Sequence, residues 1–224
     1  MGRRERIAEH IAIGYLTTDT VLETDGQYCI EPESGAELHL DAELCVELGH
    51  DVDEHADAAA VRAAIAHCWP ALEIVDLAPR AGEPDSIVIE DVFHRAVAFG
   101  TTPVPLVSEQ QVITFVNGRW RDRAPWPVDV PDRIVGAARM LAGLDERLRA
   151  GDRIITGSIT QVPIAVRDVV RVQFGCQASL AVHVIAEAGS GRSSPPQPRE
   201  CADRDRPDET HRSNPRSPTR GPGA

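Results

Sequence analysis

The alternation of apolar and polar positions is sharpest between Glu37 and Leu48. Leu38, Leu40, Ala42, Leu44, Val46 and Leu48 are apolar, while Glu37, His39, Asp41, Glu43, Cys45 and Glu47 between them are polar apart from the thiol. A period of two predicts a long strand or hairpin arm with one buried face, closed by Gly49. Asp57 is placed to cap an Ala-rich helix from about Ala58 to His67, which must stop before Pro70. Residues 71–77 then read as a short, mostly buried strand, and 92–99 as another. Asn117-Gly118 lies between Val112–Val116 and Arg119–Arg121, a strong hairpin signal. Pro131 opens a helix predicted to run to about Ala150, with Ile134, Ala138, Leu141 and Leu148 on one stripe and Gly151 closing it. Short strands follow near 153–157, 161–165, 169–175 and 180–186. With only two helices among so many strands, the predicted class is β-rich α+β, not doubly wound α/β. No internal repeat is visible.

Composition divides this picture at residue 188. The stretch 189–224 is rich in Pro, Gly, Ser and Arg, and reads as a disordered tail or an Arg-rich interaction segment. The expected organisation is a folded domain over 1–188 and a tail over 189–224. The tail holds seven Arg against five acids, and the body 16 Arg against 30 acids, so the net charge of −12 conceals a body at −14 and a tail at +2. A body this acidic disfavours a nucleic-acid partner. All 23 basic residues are Arg. The absence of Lys excludes Schiff-base chemistry on lysine and a P-loop phosphate lysine. No signal peptide, myristoylation pattern or membrane span is read from the chain, and the five Cys form no CxxC pair. The expectation is a cytoplasmic protein with free thiols and no membrane partner.

The polar face of the first strand carries the candidate chemistry. Asp41 and Glu43 project from the same face, about 6.5–7 Å apart along the strand. Two carboxylates at this spacing are accommodated by water on a solvated face, by a shared proton, or by a bridging cation. Glu73 stands inside the otherwise apolar run Pro70-Ala71-Leu72-Glu73-Ile74-Val75, and a buried Glu needs an arginine, a proton or a metal. Three such carboxylates suit a hard divalent ion, Mg²⁺ or Mn²⁺, which keeps waters that a substrate can replace. His39 shares the face of Asp41 and Glu43. It is either a proton carrier beside them or a solvated strand histidine. His94 and His183 read as structural, Cys45 has no activating neighbour, Ser158 has no nucleophile-elbow context, and Trp120 and Trp126 read as packing residues.

Leu40–Asp51 resembles the metal-binding strand of the fumarylacetoacetate hydrolase superfamily, most closely its 2-keto-4-pentenoate hydratase branch, which includes related oxo-acid decarboxylases. Pro70–Asp76 is similar to the next motif of that branch, and Gly151-Asp152-Arg153-Ile154-Ile155-Thr156-Gly157-Ser158 to its late pocket motif. Val170, Val172, Phe174, Gly175 and Ser179 resemble the end of the domain. The resemblance spans about residues 12–186. It implies a β-roll with a mixed sheet and flanking helices, and Mg²⁺ or Mn²⁺ bound by Asp41, Glu43 and Glu73. It also implies a small 2-oxo acid substrate contacted by Ser158 and Thr156, and a homo-oligomer. Glu43, Glu73 and His39 become the candidate catalytic residues. The implied reaction is hydration of a 2-oxo or 2-hydroxy-dienoic acid through a metal-stabilised enolate. A C–C hydrolase of acylpyruvate type and a non-catalytic partner subunit are the alternatives. Three departures stand out: Asp41 where the family usually has Glu, Ile89-Glu90-Asp91 where hydratases have Ala-Asp-Asn, and Arg167 in place of a turn glycine. Hydratases also carry an upstream segment with an assisting Lys, which this chain does not supply.

Overall fold

Two sheets share one apolar core in a computed structural model of the chain, whose described residues are 13–30, 35–78 and 93–186. All of them fall in the first of two units, Met1–Ala188. The 189–224 segment and Ile89-Glu90-Asp91 lie outside the described residues. The elements in chain order are β1 (Val21–Leu22), β2 (Gln27–Ile30), β3 (Leu38–Leu48), α1 (Ala58–Ala64), β4 (Ile65–Asp76), β5 (His94–Phe99), β6 (Gln111–Val116), β7 (Arg119–Pro125), α2 (Val130–Ala142), β8 (Arg153–Ile155), β9 (Thr160–Pro163), β10 (Val169–Phe174) and β11 (Ala178–Ala186). The first sheet runs β1-β5-β4-β3-β8 with β9 also on β3, and the second runs β2-β11-β10-β6-β7. Both are mixed: β1 with β5 and β2 with β11 are parallel, and the other pairings are antiparallel. This is the β-rich α+β class that the patterning predicts. Among the described residues, no helix is long and apolar enough to cross a membrane.

The even-numbered side chains of β3, from Leu38 to Leu48, enter the core together with Val112 and Val116 of β6, Val170, Val172 and Phe174 of β10, and Leu180, Val182 and Val184 of β11. A polar link between the sheets is the buried pair Thr114–Thr160, whose hydroxyl oxygens are 2.7 Å apart. Helix α2 closes one side with Ile134, Ala138 and Leu141. Trp126 is buried, set edge-on to Phe174, and donates its indole N–H to the Leu106 carbonyl, whereas Trp120 is exposed instead of packing.

Several element boundaries differ from the predicted ones, each for a physical reason. The Asp57 carboxylate accepts the Ala60 N–H as expected of an N-cap, but α1 ends at Ala64. From Ile65 onward the chain pairs with β3, so long-range pairing overrides the Ala-rich helical preference. Pro70 therefore sits within a long strand. It is tolerated because pairing of β4 with β5 begins at Ala71, and the Pro70 carbonyl still accepts the Gly100 N–H. Helix α2 ends at Ala142, not Ala150, since Gly143 caps it and Asp145 takes a positive φ of 59°. Leu148 is buried through its bridge to Val52 and not through the helix stripe. The Asn117-Gly118 turn has both φ values positive, as a type I′ hairpin requires. Arg167 carries a φ of 76°, which explains why glycine suits that turn.

Candidate metal centre

Strand β3 is central in its sheet, with β4 along one edge and β8 and β9 along the other. Its odd-numbered face is therefore not a solvated acidic surface: Asp41 is 5% exposed and Glu43 2%. The register places Asp41 opposite Glu73 and Glu43 opposite Ala71. Glu73 thus leaves the apolar run of β4 on the side away from Leu72 and Ile74, whose side chains join the main core. One carboxylate oxygen from each of Asp41, Glu43 and Glu73 lies within 4.8 Å of the others. The neighbouring floor is apolar, formed by Cys45, Ala71 and Val97 with Leu16, Trp69, Phe99 and Ile155 packed against them.

The electrostatics follow from this placement. Like charges directly opposite on paired strands repel, and burial limits their screening by solvent. Burial pushes the Glu43 carboxyl well above the usual carboxylate range, and the charges of Glu73 and then Asp41 add to the effect. A hydrogen bond from the Gly157 N–H to Glu43 Oε2, 2.7 Å, opposes the rise without cancelling it. Contact with the Glu73 carboxyl, which forms a hydrogen bond only when one of the two acids holds a proton, raises Glu43 further. Cys45, on the same face but over the apolar floor, has its thiol pushed up to about 12, chiefly by burial. It is not a nucleophile at neutral pH.

Side chains outside the trio hold it in place. Gln161 of β9 donates from Nε2 to Asp41 Oδ2 at 3.0 Å. Thr156 donates its hydroxyl to the Leu44 carbonyl at 3.0 Å, which pins the 156–158 turn against β3. Arg133 of α2 donates to the Thr156 carbonyl at 2.7 Å from the other side. Gly157 has a φ of +93°, and a Cβ there would stand 3.1 Å from the Arg133 guanidinium, so the turn that aims its N–H at Glu43 needs glycine. Ser158 donates to the Thr160 carbonyl at 3.2 Å. His39 is half-buried two positions before Asp41, with Nδ1 3.4 Å from the Glu37 carbonyl.

His94, read from sequence as structural, stands at the site. Its Nδ1 is 2.8 Å from Glu73 Oε1 and its Nε2 is 2.9 Å from the Thr20 hydroxyl. A bulge brings it there. Ile74 pairs with Ala96, yet the next residue, Val75, pairs with His94, so Arg95 is the extra residue. Without the bulge His94 would share the opposite face with Ala96 and Ala98. Nothing in the sequence signals the bulge. Gln161 was equally hidden, because its partner is set by the β3–β9 register.

No protein-family model matches the chain, and none of the curated proteins matches it. Solved structures do. A 4-oxalocrotonate decarboxylase from Pseudomonas putida G7, complexed with magnesium and adipate, superposes with a TM-score of 0.71 at 21% identity, covering 81% of this chain and 74% of that one. A maleylpyruvate hydrolase from Sphingobium sp. SYK-6, in complex with manganese(II) and pyruvate, gives 0.57 at 19% identity over 75% and 61%. The chain has the fold of the fumarylacetoacetate hydrolase superfamily. A further structure with this fold is a 2-hydroxyhepta-2,4-diene-1,7-dioate isomerase from Mycobacterium marinum, at a TM-score of 0.57 and 20% identity over 75% and 66%. The fumarylacetoacetate hydrolase fold thus houses decarboxylase, hydrolase and isomerase chemistry among these neighbours, some of them solved with a divalent cation.

Proposed function

We propose that the chain is a divalent-cation-dependent enzyme acting on a small 2-oxo acid, with Mg²⁺ or Mn²⁺ held by Asp41, Glu43 and Glu73. The convergence of Asp41 and Glu43 from β3 with Glu73 from β4 on one largely buried sheet face carries this reading. The donor set fits. It is all oxygen, as hard cations prefer, and ligands about 2.1 Å from Mg²⁺ lie roughly 3–4 Å from one another, inside the span these oxygens occupy. A cation also answers the repulsion that the burial creates. When bound, it supplies a Lewis acid that stabilises negative charge developing on the 2-oxo group of a substrate.

The chain's own residues do the rest. Gly157 and Gln161 orient Glu43 and Asp41 by hydrogen bonds. Thr156 anchors the turn that presents Ser158, and we assign Thr156 and Ser158 to the substrate side of the site. The apolar floor of Cys45, Ala71 and Val97 keeps water low beneath the trio. Glu43, Glu73 and His39 are the groups we assign to proton movement. The specific reaction proposed is hydration of a dienoic 2-oxo acid, a hydro-lyase activity, because the sequence motifs resemble the hydratase branch. Decarboxylation is the second reading, supported by the likeness to the decarboxylase. Calorimetric titration of the full chain with Mn²⁺ is expected to show binding that Glu43→Gln weakens by more than about 100-fold, a removed ligand exceeding the usual loss from a supporting partner. Product analysis with a 2-hydroxy-dienoic acid and with an oxo-diacid separates hydration from decarboxylation. A parent chain that binds no cation and turns over neither substrate sinks the proposal and leaves the partner-subunit reading.

A further inference from the structure

We propose that His94 is a positioning residue of the cation site, fixing the Glu73 carboxylate through a chain of contacts that runs Thr20–His94–Glu73. This rests on the reading of Asp41, Glu43 and Glu73 as cation ligands. Three features set His94 apart from a histidine that merely satisfies itself in a core. Its side chain is only 5% exposed, and both ring nitrogens are engaged. The partner of Nδ1 is the carboxylate of a ligand residue, not a backbone carbonyl. And the backbone departs from regular geometry to place it: Phe93 takes a φ of 69° just before it, and the Arg95 bulge follows. Unfavourable backbone of this kind persists where the surrounding structure over-determines it, commonly at working sites.

The direction of the hydrogen bonds supports the role. A carbonyl only accepts, and the Thr20 hydroxyl lies 3.0 Å from the Thr17 carbonyl. The Thr20 hydroxyl can turn its one proton to that carbonyl or to His94 Nε2, so it serves a neutral ring as donor and a doubly protonated ring as acceptor. Glu73 Oε1 accepts from Nδ1, so the ring is held at both ends. Glu73 is the least buried of the three acids, its side chain 13% exposed. The other two are restrained by Gly157 and Gln161. His94 gives Glu73 the matching restraint. Outer partners of this kind commonly contribute 10–100-fold to cation affinity.

The test is Mn²⁺ affinity of the full chain by calorimetry, with thermal melting run in parallel on His94→Ala, His94→Asn and Thr20→Val. Asparagine puts an amide N–H about where Nδ1 stands. The expected result is a loss of 10–100-fold in His94→Ala, with affinity in His94→Asn largely restored. Thr20→Val should lose a few-fold, and every variant should melt as a folded protein. Folded His94→Ala binding Mn²⁺ like the parent overturns the proposal. So does a case in which Ala and Asn variants lose affinity equally and in step with their melting temperatures, which marks a purely structural role. If the parent binds no Mn²⁺, the cation reading itself fails. The contact is then judged in the metal-free chain by ¹⁵N NMR of the imidazole. A slowly exchanging Nδ1 proton lost on Glu73→Ala supports the positioning contact, and its absence in the parent overturns it.

Discussion

The two faces of β3 are nearly equally buried and opposite in chemistry. On one, Leu40, Ala42, Leu44 and Val46 are fully excluded from water, and on the other Asp41 and Glu43 are almost as deeply covered. Burial of the first face stabilises the fold, at roughly 25 cal/mol for each Å² of apolar surface removed from water. Burial of the second works against it, since it takes carboxylates from water and sets them beside one another. Exposure alone therefore does not distinguish structural from functional positions in this strand. What distinguishes them is whether the group gains or loses by leaving water. Both faces alternate along the same backbone, so the sheet that stabilises the fold also fixes the spacing of the acids.

Leu40→Ala should have the largest effect, a loss of about 2–5 kcal/mol in denaturant melting, with Mn²⁺ affinity of the folded chain unchanged. A fall in affinity alongside stability would show that the two faces do not act separately. Glu43→Gln should act with the opposite sign. A carboxyl whose folded pKa is raised binds more protons folded than unfolded between the two values. The cation-free chain therefore loses stability as pH climbs from near 4.5 to the raised folded value, and stays lowered above it. Gln still accepts from the Gly157 N–H and carries no charge. It should raise Tm at pH 8 by about 2–4 °C for each kcal/mol recovered, and show no gain near pH 4. A parent Tm flat across that range would remove the electrostatic contrast between the faces. The smallest effect sharpens where the acidic region ends. Cys45 lies on the acid face, yet its thiol is pushed up to about 12, and that of Cys68 likewise. Iodoacetamide at pH 8 should label the exposed Cys29 and Cys176 and spare both buried thiols, read by mass spectrometry.

Much of this was legible because it depends on local order. The alternation from Glu37 to Leu48, the Asp57 cap and the Asn117-Gly118 turn are local signals, and each lies where the pattern puts it. Glu73 was conspicuous because a carboxylate breaks an apolar run. Its meeting with Asp41 was not derivable from spacing, since it depends on the β3–β4 register. The burial of the acid face was hidden too. Alternation reports which residues share a face, not whether β4, β8 and β9 make the strand central. The early end of α1 reflects a contest between helix preference and strand pairing that a local window sees from one side only. His94 escaped because a single inserted residue reverses which face its side chain joins.

That inserted residue makes parity a property of the site. Ala96 lies opposite Ile74, and whether His94 or its neighbour stands opposite Val75 depends on one count along β5. A deletion of one residue there would preserve almost every side chain in the strand while sending the imidazole into the opposite layer, whereas many substitutions in β5 would leave it in place. In this part of the molecule, the face that His94 joins depends on strand length more than on the type of its neighbours. On the proposed role of His94, keeping the site means keeping a count of residues along β5 as well as a set of side chains.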